Sequence, residues 1–121
     1  MDERIEKAFG VTNYMATLSN QRRIILEEFK QALVYYQNGG TFNINPELIS
    51  FTKLTLDLGH NTDVPFIDVN GYPVIISDVQ EFHDTIIDIY FQAVNSYSIK
   101  FSEIKSKRKI EDMISLWATV L

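Results

Sequence analysis

Along the second half of the chain, Val79, Phe82, Ile86, Tyr90, Ala93, Tyr97, Phe101 and Ile104 recur at helical spacing and hold one face. No glycine or proline interrupts the sequence after Ser77, so the 3.6-residue period predicts one long amphipathic helix of about 40 Å. Its start is marked by Ser77-Asp78-Val79-Gln80, a capping-box pattern in which Gln80 reaches back toward the Ser77 amide. Asp78 complements the helix dipole there. After the polar Ser106-Lys107-Arg108-Lys109, the residues Ile110, Met113, Ile114 and Trp117 predict a short last helix.

Upstream the pattern is more broken. Ile5 and Phe9 stand at i and i+4, but Gly10-Val11-Thr12-Asn13 follows, so residues 1–18 read as an N-terminal arm. Ser19 as N-cap, with Ile25, Phe29, Leu33 and Tyr36 on one face, predicts a helix that stops at Asn38-Gly39-Gly40. Thr41-Phe42-Asn43-Ile44 alternates as a short extended segment does. Asn45-Pro46-Glu47 reads as N-cap, N1 and N2 of a further helix with Phe51, Leu54 and Leu58 on one face, ended by Gly59. The competing reading of that stretch is a strand, because Leu54, Leu56 and Leu58 alternate. Phe66-Ile67-Asp68-Val69 and Pro73-Val74-Ile75-Ile76 flank Asn70-Gly71, where both turn residues tolerate positive φ, and this predicts a hairpin near 66–76 with Pro73 at an edge. The expected fold is mainly α with one small β-hairpin, an α+β fold in which residues 19–121 form a single helical domain.

Composition narrows the function more than the fold. With 121 residues the chain has one domain's worth of length. The absence of cysteine excludes disulfides, thiolate metal sites and cysteine nucleophiles. Met1-Asp2-Glu3-Arg4 leads into no apolar run, and no segment is long and apolar enough for a membrane span, so neither a signal peptide nor membrane insertion is expected. The net charge of -5 argues against general nucleic-acid binding, which needs a basic surface. The distribution of charge is uneven. Asp57, Asp63, Asp68, Asp78, Glu81, Asp84 and Asp88 fall between Lys53 and Lys100 with no basic residue among them. Five of the eleven basic residues then gather at Lys100, Lys105, Lys107, Arg108 and Lys109. Such a gradient suits solvated helix faces or complementary charge at a subunit interface.

Glu81, Asp84 and Asp88 centre the polar face of the long helix, yet Ile87, Phe91 and Val94 extend the apolar side beyond its main stripe. Together the apolar positions cover roughly half the circumference, where a surface helix needs little more than about 100°. Either the domain wraps this helix or the extra face meets another subunit. On the second reading Ile87, Tyr90, Phe91, Val94, Tyr97, Phe101 and Trp117 are the interface candidates, the tyrosines and the tryptophan keeping a polar handle. Lys105, Lys107, Arg108 and Lys109 form a basic patch, able to touch phosphate or simply favoured near a helix C-terminus. Asp57, His60 and Asp63 could converge on a metal from a helix end, and His83-Asp84 point apart on a helix. Phosphate-loop, nucleophile-elbow and dinucleotide fingerprints are missing from the sequence. No catalysis, cofactor or metal is therefore expected.

The run Asn45-Pro46-Glu47-Leu48-Ile49-Ser50-Phe51, then Ile67-Asp68-Val69-Asn70-Gly71-Tyr72-Pro73-Val74, then a long helix with Phe82 and Tyr90-Phe91, then a basic Lys-Ser-Lys-Arg-Lys-Ile-Glu-Asp segment, resembles small structural proteins of tailed phages. It is also similar to the domain of unknown function in phage tail-fibre and fibre-assembly proteins, where a D-x-D/N-G-x-P-V hairpin precedes a long helix and a short one. The resemblance spans roughly residues 45–117 and brings no catalytic signature. It implies a non-enzymatic virion protein of the tail, baseplate or neck, made in the host cytoplasm and held by other phage structural proteins as a homo- or hetero-oligomer. An assembly chaperone for a tail or tail-fibre protein is the alternative in the same setting. A small metal-dependent enzyme built on Asp57, His60 and Asp63 is the alternative from a different class.

Overall fold

A computed structural model describes the backbone of residues 3–120 and the side chains of residues 3–8, 10, 16–107 and 114. In chain order it contains α1 (Glu3–Ala32), β1 (Val34–Gln37), β2 (Gly40–Asn43), α2 (Pro46–Asp57), β3 (Thr62–Ile67), β4 (Pro73–Asp78) and α3 (Val79–Val120). The fold is α+β and mainly helical, as expected, but it carries two antiparallel two-stranded sheets, β1-β2 and β3-β4, where the sequence suggested one. The chain divides into two compact units, Phe29–Asn95 and Met1–Glu28 with Ser96–Leu121.

The extra sheet lies where the first helix was expected to end. Asn38 and Gly39 both adopt positive φ (50° and 78°), and Gln37 pairs with Gly40 across them, so a two-residue turn closes β1 onto β2. The β-branched and aromatic run from Val34 to Tyr36 suits a strand, and pairing Tyr35 with Phe42 places Phe42 in the core at 2% exposure. Tyr36, expected on a buried helix face, is instead an exposed strand residue. Gly40 is packed tightly: a Cβ there would collide with Val74 Cγ2 and lie 3.3 Å from the Gln37 carbonyl oxygen.

Asn45 and Pro46 start α2 as their residue types dictate, the Asn45 side chain accepting the Leu48 amide at 2.8 Å. The helix ends on Gly59 at φ 88°, with the Gly59 amide bonded to the Leu56 carbonyl and the His60 amide to the Thr55 carbonyl. The strand alternative is thereby set aside.

In the β3-β4 ladder Phe66 pairs with Val74 and Val64 with Ile76, while Pro65 and Pro73 fall on the other phase, opposite Ile75 and Ile67. Two prolines are tolerated because that phase directs its backbone groups outward in a two-stranded ladder. The connection is a five-residue loop, 68–72, in which only Gly71 takes positive φ (80°), so Asn70-Gly71 does not form the expected two-residue turn. β4 passes directly into α3, whose N-cap is Asp78: its carboxylate accepts the Glu81 amide at 3.1 Å, one residue later than the Ser77 cap predicted. Gln80 bonds Asp84 instead of reaching back.

The core of Phe29–Asn95 consists of Phe42, Ile44, Phe66, Val74, Ile76, Val79, Phe82 and Ile86. Phe82 is its centre, with ring centroids 5.3 Å from Phe42, 5.5 Å from Phe66 and 6.2 Å from Tyr35. In the other unit Leu18 and Ile25 of α1 bury against Ile104 of α3, with Tyr97 packed beside them. Glu28 meets Lys100 at 2.8 Å and the Arg22 guanidinium lies over Phe101, so these stretches run antiparallel. Neither predicted helix break occurs. α1 continues through Gly10, whose penalty of about 1 kcal/mol is met by good helix formers around it, among them Glu6, Lys7 and Ala8. α3 continues through Ser106-Lys107-Arg108-Lys109 because polarity alone, without glycine or proline, does not end a helix.

Candidate protein interface

The sequence places apolar residues all around α2, and the structure decides which face is buried. Leu48, Ile49 and Leu56 turn inward and are half-buried, together with Thr52 and Thr55, which are buried. Phe51, Leu54 and Leu58, the stripe that marked this helix in the sequence, are 53%, 53% and 66% exposed. A helix normally buries its apolar ridge and exposes its threonines. Here the ridge faces out.

The buried threonines are satisfied locally. The Thr55 hydroxyl donates to the Phe51 carbonyl at 2.8 Å and the Thr52 hydroxyl to the Ile49 carbonyl at 2.8 Å. Thr52 Oγ1 also lies 2.6 Å from His83 Nδ1 on α3. Since the only hydroxyl proton of Thr52 is directed at Ile49, Nδ1 carries the proton and Thr52 accepts it. His83 thus joins α2 to α3 within the core; sequence reasoning had considered it only beside Asp84.

Beside the ridge, an open groove of about 510 Å³ runs between the start of α2 and the β3-β4 loop, lined by Phe42, Asn45, Glu47, Leu48, Phe51 and Val69 among others. Its floor is fixed by Asp68, which is 7% exposed. Asp68 Oδ1 accepts the amides of Tyr72 at 2.9 Å and Asn70 at 3.0 Å, and Oδ2 accepts the Thr41 amide at 3.2 Å. The Tyr72 amide above all, with those of Thr41 and Asn70, holds this carboxyl below its ordinary value of 3.8, against burial pushing the other way. The Val69 amide bonds the Thr41 carbonyl at 2.9 Å, so Asp68 and its neighbour tie the second hairpin to the first. Around this floor Ile67, Val69, Tyr72 and Ile75 are all at least half exposed.

The interface candidates on α3 separate. Tyr90 packs against the core of Phe29–Asn95, and Ile87 and Val94 are half-buried. Phe91 is 57% exposed, edge-on to Tyr90. Tyr97 packs on the Leu18-Ile25-Ile104 cluster, and Phe101, 38% exposed, lies under Arg22. Of the basic patch, Lys105 and Lys107 are exposed. The side chains of Trp117, Arg108 and Lys109 lie outside the described residues.

Charge follows the same division of the chain. Phe29–Asn95 holds Lys30 and Lys53 against eight carboxylates, a net charge of -6, and the remaining residues sum to +1. Among the described residues no three His, Asp or Glu side chains are grouped to hold a metal, so Asp57, His60 and Asp63 do not converge. Nor is any helix among them long and apolar enough to cross a membrane. Comparison of the chain with protein-family models, with curated proteins and with solved structures found no match.

Proposed function

We propose that this chain is a non-enzymatic structural protein of a tailed-phage virion, in the tail, baseplate or neck, that works by binding neighbouring subunits. The observation that carries the binding role is the outward ridge of Phe51, Leu54 and Leu58, continued by exposed Ile67 and Val69 of the second hairpin. Apolar side chains gathered on an acidic surface of a small protein favour contact with another protein over free solvation. The phage setting rests on the sequence resemblance over residues 45–117. The experiment is mass spectrometry of purified particles from a phage that encodes the chain. Stoichiometric presence supports the structural role; absence from the particle, with the chain recovered on a tail or fibre protein in the lysate, replaces it with the assembly-chaperone reading.

A further inference from the structure

We propose that the outer ridge of α2 receives the basic end of α3 from a second copy of this chain, so that copies join head to tail. This rests on the subunit-binding role above and names the partner.

The two surfaces complement each other in shape. Phe51, Leu54 and Leu58 stand at i, i+3 and i+7 and project from α2 along about 10 Å of its axis. On α3, Ser98, Ser102 and Ser106 stand at i+4 spacing along a shallow, open furrow of about 520 Å³, bordered on one side by Ile99, Glu103 and Lys107. Small residues in a row leave a channel about 12 Å long, which a ridge of large side chains on a partner helix can enter. Ile99, 62% exposed, gives that channel an apolar wall.

They complement each other in charge as well. Glu47 and Asp57 lie toward the two ends of the α2 ridge, both exposed, in the unit of net charge -6. Lys105 and Lys107 flank the end of the serine groove, both exposed, and outnumber the Glu103 carboxylate beside it, with Arg108 and Lys109 next in sequence. Like surfaces repel: a ridge placed on a ridge, or a basic groove on a basic groove, sets equal charges against each other. The favoured contact therefore sets the ridge of one copy against the groove of the next; joined head to tail, such contacts close into rings or extend into filaments.

The test uses the full chain in size-exclusion chromatography with light scattering over a concentration series, at low salt and at about 1 M salt, where screening falls to roughly 3 Å. The wild-type mass should rise with concentration past a dimer and collapse in high salt. Glu47→Lys with Asp57→Lys, or Lys105→Glu with Lys107→Glu, should each weaken association by at least about tenfold while melting as cooperatively as wild type, since all four side chains are exposed. Mixed in equal amounts, the two variants should associate again past a dimer, in alternation, because the unchanged acidic ridge of one meets the unchanged basic groove of the other and the two reversed surfaces complement each other in turn. Leu54→Ser should also lose association without any change of charge. A wild-type protein that stays monomeric at low salt, variants that associate as wild type does, or a mixture that remains monomeric would each overturn the proposal. Those results leave the virion role intact, since that is read from the particle, with partners then other than this chain.

Discussion

Replacing Thr52 with valine should test the link between α2 and α3. The side chain is fully buried and nearly isosteric with valine, so packing is kept while the hydroxyl is lost. His83 Nδ1, 2.6 Å from that hydroxyl and on a residue only 8% exposed, is then left without an acceptor. An unsatisfied buried donor costs about 1–3 kcal/mol. His83→Leu should cost less, about 0.5–1.5 kcal/mol, because the Thr52 hydroxyl keeps its bond to the Ile49 carbonyl. The double variant replaces both partners with apolar groups and should be less destabilised than the sum of the two by about 1 kcal/mol or more. Urea unfolding followed by circular dichroism measures all four proteins. If Thr52→Val falls within about 0.5 kcal/mol of wild type, or if the two changes add, the pair does not join the helices as described.

Asp68 supplies a pH dependence. Its carboxyl lies lower in the folded than in the unfolded chain, so its contribution is fully present above its ordinary value of 3.8 and is lost as pH falls through the folded value. Asp68→Asn should therefore lower the urea midpoint at neutral pH and flatten its fall in acid; a variant whose midpoint declines in parallel with wild type refutes the assignment. Gly40→Ala, which drives a methyl group into Val74, should cost about 1–3 kcal/mol by thermal melting. Ile86→Ala, at a position with no exposure, should cost about 2–5 kcal/mol. Phe91→Asp should leave folding within about 0.5 kcal/mol of wild type, so loss of particle incorporation by this variant would report a contact with a neighbour.

Much of this fold was legible because its signals are local. Asn45-Pro46 and Gly59 set both ends of α2 through backbone amides and carbonyls that no distant residue changes. The long stripe from Val79 to Ile104 was readable because its period persists over many turns. What failed was choosing between equal local signals. Asn38-Gly39 and Asn70-Gly71 are the same dipeptide, but the first closes a two-residue turn while the second sits in a loop organised by Asp68, and the difference depends on amides of Thr41 and Tyr72 remote from the dipeptide or beyond it. The candidate interface was missed for a similar reason. α2 offers leucines on both sides, and the side turned to the core is set by partners remote in sequence: the core cluster against which Leu48, Ile49 and Leu56 pack, and His83, thirty-one residues away from Thr52. With that side inward, Leu54 and Leu58 are left on the outside together with Phe51, whose ring still meets the buried Phe66 edge-on at 5.7 Å.

α3 is a single unbroken helix of 42 residues, but its first part belongs to a unit with eight buried core side chains and its remainder to one with three among the described residues. Continuity of the backbone does not make its opening free energy uniform. Amide hydrogens from Val79 to Asn95 should exchange with solvent only in rare, deep openings, while those from Ser96 to Lys107 should exchange through shallower ones. One helix then reports two levels of protection, and the step between them marks where cooperative unfolding divides.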